Sequence, residues 1–406
     1  MMIQTEQTTS NSTNKLQLGS LAIPIIGTNL VFAGIAILYY KKQLPSNIID
    51  FFSKFMKFEI SKKISLGTII ILISIYIILN LTSIQKTESF VDTPGVFDTA
   101  INTNLNLHEL QDAAYLKYLL LHASLFLFHN IRVIPFLVTL TLFLFVYGIT
   151  VKISGKRVAG IIALMVLMQS SLVFKYASSS TYENSWILFY LISLYWIRRW
   201  PISPFFFGLS MMVKELSIVF LPASLFFIMS SNNSKKEKII NTAFYGVIVI
   251  YSFMRFFAGT TQISDSIVYH MKEFWTGFAI IESSFKFDMI FLILLIPTII
   301  GLFIVSQKGV RQSNTFLLLI SSCLLISPLL SGFTHIVNGD YRIIPLIVFF
   351  SIGFGLVFVT KTDNNMSKRK FILSSAIFVV TLTLVMVSYV DVIFPHLFHR
   401  DFGAYL

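Results

Sequence analysis

Apolar runs close to the length of a bilayer crossing alternate along this chain with short polar stretches, and charge is sorted among those stretches. A crossing helix needs about 20 predominantly apolar residues. The runs fall at 18–40, 64–84, 131–151, 158–174, 185–197, 239–258, 287–306, 313–330, 343–360 and 371–391. If alternate polar stretches are taken as cytoplasmic, 20 of the 31 Lys and Arg lie on that side and 15 of the 19 Asp and Glu lie on the other. Retention of Lys and Arg on the cytoplasmic side sets membrane orientation. Acid enrichment opposite is not part of that rule, and an active site facing away from the cytoplasm accounts for it.

Composition excludes a soluble fold. Only 12% of residues are charged, against about a quarter in soluble domains, and the mean hydropathy is +0.77. The net charge of +12 follows from the positive-inside bias and does not imply nucleic acid as a partner. The single cysteine, Cys323, lies in an apolar run and cannot form an internal disulfide or a thiolate cluster. Residues 1–17 are polar and read as disordered. The run Leu18–Tyr40 is too long for a signal-peptide core and reads as a retained span.

Two stretches depart from simple spans. Leu44–Ile60 sets Ile48, Ile49, Phe52, Phe55 and Met56 beside Lys54 and Lys57, a pattern for a helix lying in the cytoplasmic interface. Residues 113–129 form a second amphipathic stretch, on the outer side. Residues 204–230 are apolar but interrupted by Lys214 and Glu215, with Arg198 and Arg199 before them and Lys235, Lys236 and Lys238 after. A single span would place one basic group on the wrong side, so a hairpin of two short segments meeting near Lys214 is expected. Broken helices are tolerated where they line a cavity. The fold class is therefore all-α: a polytopic transmembrane bundle of about 11–12 spans, with juxtamembrane helices in the first outer loop and both termini outside. It divides into a polar N-terminus (1–17), an extra span with an interfacial helix (18–63), a core (64–360) and a last span with a short outer tail (361–406).

Polar residues that could carry chemistry are few. The first outer loop holds Glu88, Asp92, Asp98, Glu109 and Asp112 with His108. Such carboxylates could act as a general base, hold a metal, or simply be solvated. Glu183 opens a span, where it could cap the helix or face an active site. Lys214 lies in apolar surroundings and needs a partner or an anionic ligand. Glu215 could be that partner, although adjacent helical residues point in different directions. Arg342, at the outer end of a span, could snorkel to the interface or grip a lipid phosphate with its planar fork. His270 and Glu273 have helical spacing for a metal pair but no third ligand nearby. His396 and His399 have no supporting pattern. No P-loop, Gly-rich dinucleotide turn or Gly-x-Ser-x-Gly elbow is present.

The order of these features resembles the GT-C superfamily of membrane glycosyltransferases, in particular the branch of the dolichyl-phosphate-mannose protein mannosyltransferases and the lipid A aminoarabinose transferases. The resemblance covers roughly 64–360 and is best over Ala113–Ile197. Tyr115–His122 is similar to the family's helix after the first loop, and Arg132 stands where an arginine opens the next span. Gly155–Gly160 resembles its cytoplasmic turn, and Glu183 falls where many members carry an acid. The segment from Gly208 to Lys214 resembles the Gly-rich segment ending in Lys. Asp340-Tyr341-Arg342 with Pro345 resembles the Arg-Tyr-x-x-Pro turn with Tyr and Arg exchanged. Where members carry Asp-Glu in the first loop, this chain has isolated acids; where they carry His-Pro-Pro, it has Asp112-Ala113-Ala114.

The resemblance implies transfer of a sugar from a polyprenyl-phosphate-linked donor to a lipid, glycan or protein acceptor on the outer face of the cell membrane. Displacement would be inverting, with a carboxylate base. Asp98 or Asp92 would be the base, Glu183 would orient the acceptor, and Arg342 with Lys214 would bind the donor phosphate. Besides the donor and acceptor, the partners are membrane lipids. No cofactor is implied, and a divalent metal stays open. Two other classes compete. A transporter or lipid flippase would place charges at mid-bilayer and often carry an inverted repeat, neither of which the chain shows apart from Lys214 and Glu215. A non-catalytic assembly subunit is compatible with the isolated first-loop acids.

The orientation is testable by single-cysteine labelling in a Cys323→Ser background. Loops 41–63, 152–157, 198–203, 231–238, 307–312 and 361–370 should be protected from impermeant reagent added outside. Outside labelling of 231–238 with 152–157 protected would break the hairpin assignment.

Overall fold

A computed structural model describes residues 22–86, 88, 115–181, 183–231, 233–259, 288–334, 340–359 and 368–393, with six further positions between 274 and 285. Among the described residues the chain is helical, with no strand. Two helices precede the core: α1 (Ala22–Tyr40) and α2 (Ser46–Lys57). The core helices are α3 (Lys62–Gln85), α4 (Tyr115–Phe128), α5 (Val133–Ser154), α6 (Arg157–Met168), α7 (Ser171–Lys175) and α8 (Glu183–Tyr195). They continue with α9 (Ile202–Val213), α10 (Leu221–Ser230), α11 (Lys235–Gly259), α12 (Met289–Gln307), α13 (Gln312–Thr334) and α14 (Ile344–Leu356). The last described helix is α15 (Lys368–Ile393). Among the described residues, five helices are long and apolar enough to cross a membrane: α3, α5, α12, and most of α13 and α15. Several shorter apolar helices join them, including α1, α4, α6, α9 and α14. This is a multi-pass membrane bundle.

Local chemistry sets the boundaries. Ser61 starts α3 by accepting the Ile64 N–H at 3.3 Å. Gly155 ends α5 in the left-handed region (φ 73°), where a glycine costs little. The 158–174 run is not one helix. It breaks after Met168, and Ser170 caps the short α7 through the Val173 N–H. Asp288, just ahead of α12, holds the same break by accepting from Ser170 Oγ and the Ser171 N–H, both at 2.8 Å. A polar cap at a bend was hidden inside an otherwise apolar run. Within the 113–129 stretch, residues 115–128 form α4, which is not cleanly two-faced. Its buried face carries the polar Lys117 and Ser124 beside Tyr115 and Leu121, while Phe126, Leu127 and Phe128 are exposed at its end.

The 204–230 segment folds back on itself. Asn233 at its far end and Asn241 in α11 both donate to the Ile197 carbonyl, which precedes α9, at 3.2 and 2.9 Å. The two legs, α9 and α10, therefore return to the same end of the bundle. A 3-10 helix, Glu215–Phe220, turns the corner. It is pinned to α8: Tyr190 Oη donates to the Phe220 carbonyl (3.3 Å), Ser224 Oγ donates to Tyr190 Oη (3.0 Å), and the Trp186 and Phe220 rings stack at 5.2 Å. The twelve residues of α9 rise about 18 Å, well short of a hydrocarbon core roughly 30 Å thick. The corner at Lys214 therefore stops inside the bundle.

Helix α14 is the hub against which α5, α6, α8, α12 and α13 pack. Every residue from Ile344 to Gly353 is buried. Its approach to α6 relies on small residues, as in membrane helix pairs generally. A Cβ at Gly355 would meet the Ala159 carbonyl oxygen at 2.7 Å and Ala163 Cβ at 2.9 Å. Gly355→Val should therefore push α14 off α6 and destabilise the detergent-solubilised protein by about 1–3 kcal/mol, read as a lowered thermal midpoint. Val at half-buried Gly67, whose Cβ would meet nothing within 4 Å, should leave the midpoint within about 0.5 kcal/mol of wild type.

Candidate functional site

Three residues from distant parts of the chain line one cavity: Glu183, Lys214 and Arg342. Glu183 is the first residue of α8, and its side chain is fully buried. Lys214 is the single extended residue (φ −152°, ψ 110°) between α9 and the 3-10 corner, so the break in the helix aims its side chain across at α8. Its Nζ donates to Glu183 Oε1, and Trp186 Nε1 donates to Glu183 Oε2. The ammonium also lies 5.8 Å from the Trp186 ring centroid, within reach of a cation–π contact. The partner of Lys214 is thus Glu183, 31 positions earlier, and not the adjacent Glu215. Glu183 does more than cap a helix, because both its oxygens are engaged by side chains.

Arg342 comes from a 3-10 turn, Asp340–Ile343, that leads into α14. Its guanidinium lies 5.9 Å from the Tyr341 ring, and Tyr341 meets Tyr176 edge-on at 5.9 Å. These rings tie the turn before α14 to the one before α8. Ser217, Cys323 and Ser327 complete the polar lining. Ser217 Oγ is buried and has no hydrogen-bond partner among the described residues. The cavity thus presents two cations, one carboxylate and an unused hydroxyl. Its free volume is about 40 Å³, which suits one small polar group or a few waters rather than an entire sugar donor.

A second polar cluster sits beside the same loops. Glu88, just past α3, forms an ion pair with Arg132 at 3.1 Å and accepts the Ser180 N–H at 2.8 Å. Arg132 also donates to the Ser83 carbonyl, and Asn130 donates to the Ile84 carbonyl at 2.9 Å. Both ionised side chains are nearly buried, at 9% and 4% exposure for Arg132 and Glu88. The cluster ties the end of α3 and the start of α5 to the turn that leads into Glu183. Of the five acids in the first loop, Glu88 lies nearest the helix end, and that proximity was the signal for its structural engagement. Ser217 carried no such signal, since a serine in an apolar run usually bonds its own helix.

Asp92 and Asp98 lie outside the described residues, as do His270 and Glu273, the tail histidines, and the polar N-terminus. Among the described residues no group of three His, Cys, Asp or Glu gathers to hold a metal ion.

Comparison with curated proteins and with solved structures gives no match. Residues 113–258 match the family model described as dolichyl-phosphate-mannose-protein mannosyltransferase. The matched segment carries Arg132, Glu183 and Lys214, while Glu88 and Arg342 lie outside it. Joined to the apolar helical bundle, this match supports a multi-pass membrane glycosyltransferase of the GT-C type.

Proposed function

We propose that the protein moves a sugar from a polyprenyl-phosphate-linked donor to an acceptor hydroxyl, at the end of the bundle where the Glu183–Lys214–Arg342 cavity lies and on the extracytoplasmic side of the membrane. The observation that carries this reading is the convergence of Lys214 and Arg342 on one buried cavity. The leaving group of such a transfer is a lipid phosphate whose negative charge grows as the glycosidic bond breaks. Cations already oriented in a water-poor site stabilise that charge most. Arg342 offers a planar fork and Lys214 a point charge, and Ser217 Oγ can donate to a further phosphate oxygen.

The acceptor oxygen attacks the anomeric carbon from the face opposite the phosphate. The bond from that carbon to the phosphate oxygen breaks, and a carboxylate takes the acceptor proton. Glu183 is poorly suited to that last task because Lys214 and Trp186 occupy its oxygens. Its role here is to hold Lys214 at the cavity and to shape the acceptor side. The base is Asp98, with Asp92 the other candidate, both in the loop that follows α3. The acceptor is a lipid, a glycan or a protein.

Turnover of a polyprenyl-phosphate sugar by purified variants tests this. Asp98→Asn or Asp92→Asn should cost about 10²–10⁴-fold in kcat, with donor binding little changed. Arg342→Lys should weaken donor use despite its retained charge. Wild-type rates in both Asp variants, or in Arg342→Ala at limiting donor, would sink the assignment.

The buried pair yields a separate expectation. Glu183→Gln alone strands a buried cation and should lower stability by roughly 3–5 kcal/mol. Glu183→Gln with Lys214→Met removes both charges and should recover most of that stability, read as a thermal midpoint, while transfer stays lost. Recovery of transfer along with stability would remove Lys214 from phosphate binding.

A further inference from the structure

The opposite end of the bundle holds a larger cavity, of about 340 Å³, lined by Lys152, Arg198, Lys308 and Arg311. These cations come from three different connections: the last turn of α5, the link from α8 to α9, and the link from α12 to α13. No Asp or Glu lines it. Ile149 and Phe227 add apolar surface to the lining. The volume is in the range of small-ligand sites, about 300–1,000 Å³.

Other cations at the basic end are answered locally. Arg157 faces Glu59 at 3.6 Å, Lys156 donates to the Met56 carbonyl, and Lys238 donates to the Met229 carbonyl at 2.8 Å. Lys152 also has a local contact, the Tyr195 carbonyl. Arg198, Lys308 and Arg311 have no ion pair among the described residues. Cations are favoured singly at helix C-termini, which explains Lys152 and Lys308 one at a time. It does not account for four solvent-exposed like charges gathered around one hollow, where their summed positive potential favours an anion. The N-terminus of α13 adds to the positive potential, since Val310, Arg311 and Gln312 form part of the wall.

We propose that this cavity binds a phosphate-bearing group, the headgroup of an anionic lipid in the membrane leaflet at the basic end. Arg198 and Arg311 grip the phosphate, Lys152 and Lys308 neutralise it, and the apolar lining residues receive the carbon skeleton of the headgroup. The site is separate from the Lys214 cavity and does not depend on the transfer reaction. Basic pockets between membrane helices on the cytoplasmic side recognise phosphate headgroups in this way.

Native mass spectrometry of the full chain, loaded with phosphatidylglycerol or phosphatidylcholine, provides the test. Retention of phosphatidylglycerol should exceed that of phosphatidylcholine, and Arg198→Ala with Arg311→Ala should reduce it about tenfold or more. Lys235→Ala with Lys236→Ala removes the same charge from exposed positions at the same end, outside the cavity, and should change retention less than about twofold. Inorganic phosphate forms a second arm, read by thermal unfolding in neutral detergent. Stabilisation by phosphate that disappears in the Arg198/Arg311 variant supports the same site with a soluble ligand, whereas a response to lipid alone supports the headgroup. Equal retention of the two lipids, or equal loss in the two double variants, overturns the proposal.

Discussion

A lysine at a break between two short helices cannot rest in an apolar bundle without a counter-charge, and Glu183 supplies it. That contact fixes where the α9–α10 hairpin turns and against which helix it lies. The rest of the architecture at this end of the bundle is arranged around it. Trp186 holds the second carboxylate oxygen and stacks on the corner residue Phe220, and Tyr190 binds the corner's backbone. A buried ion pair is a weak source of net stability, because desolvation consumes much of the Coulombic gain. Its value here is registry, since it sets one arrangement of three helices and holds an ammonium at a cavity wall.

The hub helix α14 does a complementary job. Its tight approach to α6 at Gly355 and its packing against α8 carry the turn that bears Arg342 to the cavity. The cluster of Glu88, Arg132 and Ser180 anchors the neighbouring turn from the other side. Positional accuracy in this region thus comes from the ends of helices, where short turns are clamped by side chains from α3, α5 and α8. Long straight helices provide the frame. The irregular points between them, at residues 169–170, 214 and 340–343, bring the polar groups inward.

The membrane fold was legible because hydropathy over about 20 residues is a local property, readable without knowing what any helix touches. The hairpin at 204–230 could be anticipated for the same kind of reason, since the basic flanks on both sides constrain where its ends can sit. Glu183, Lys214 and Arg342 stood out because charge in apolar surroundings is costly wherever it occurs. What the chain could not reveal was pairing. Lys214 has an acid immediately beside it in sequence, yet its partner lies in another helix, and the extended backbone at 214 sends its side chain away from that of its neighbour. The bend at Ser170 was invisible because its second cap, Asp288, comes from more than a hundred residues away. The Ser217 hydroxyl carries no sequence pattern at all, and only the cavity wall marks it out.

The pairing of Glu183 with Lys214 also bears on how the chain is made. The acid emerges first, at the head of α8, and the lysine follows 31 residues later at the tip of the hairpin. At synthesis rates of about 5–20 residues per second, α8 waits a few seconds with an unmatched carboxylate at the edge of the lipid. A helix in that state is a poor candidate for release into the bilayer by itself. Helix α8 is therefore expected to insert together with the hairpin that supplies its counter-charge. A substitution at Lys214 is then expected to lower the yield of folded protein as well as its turnover.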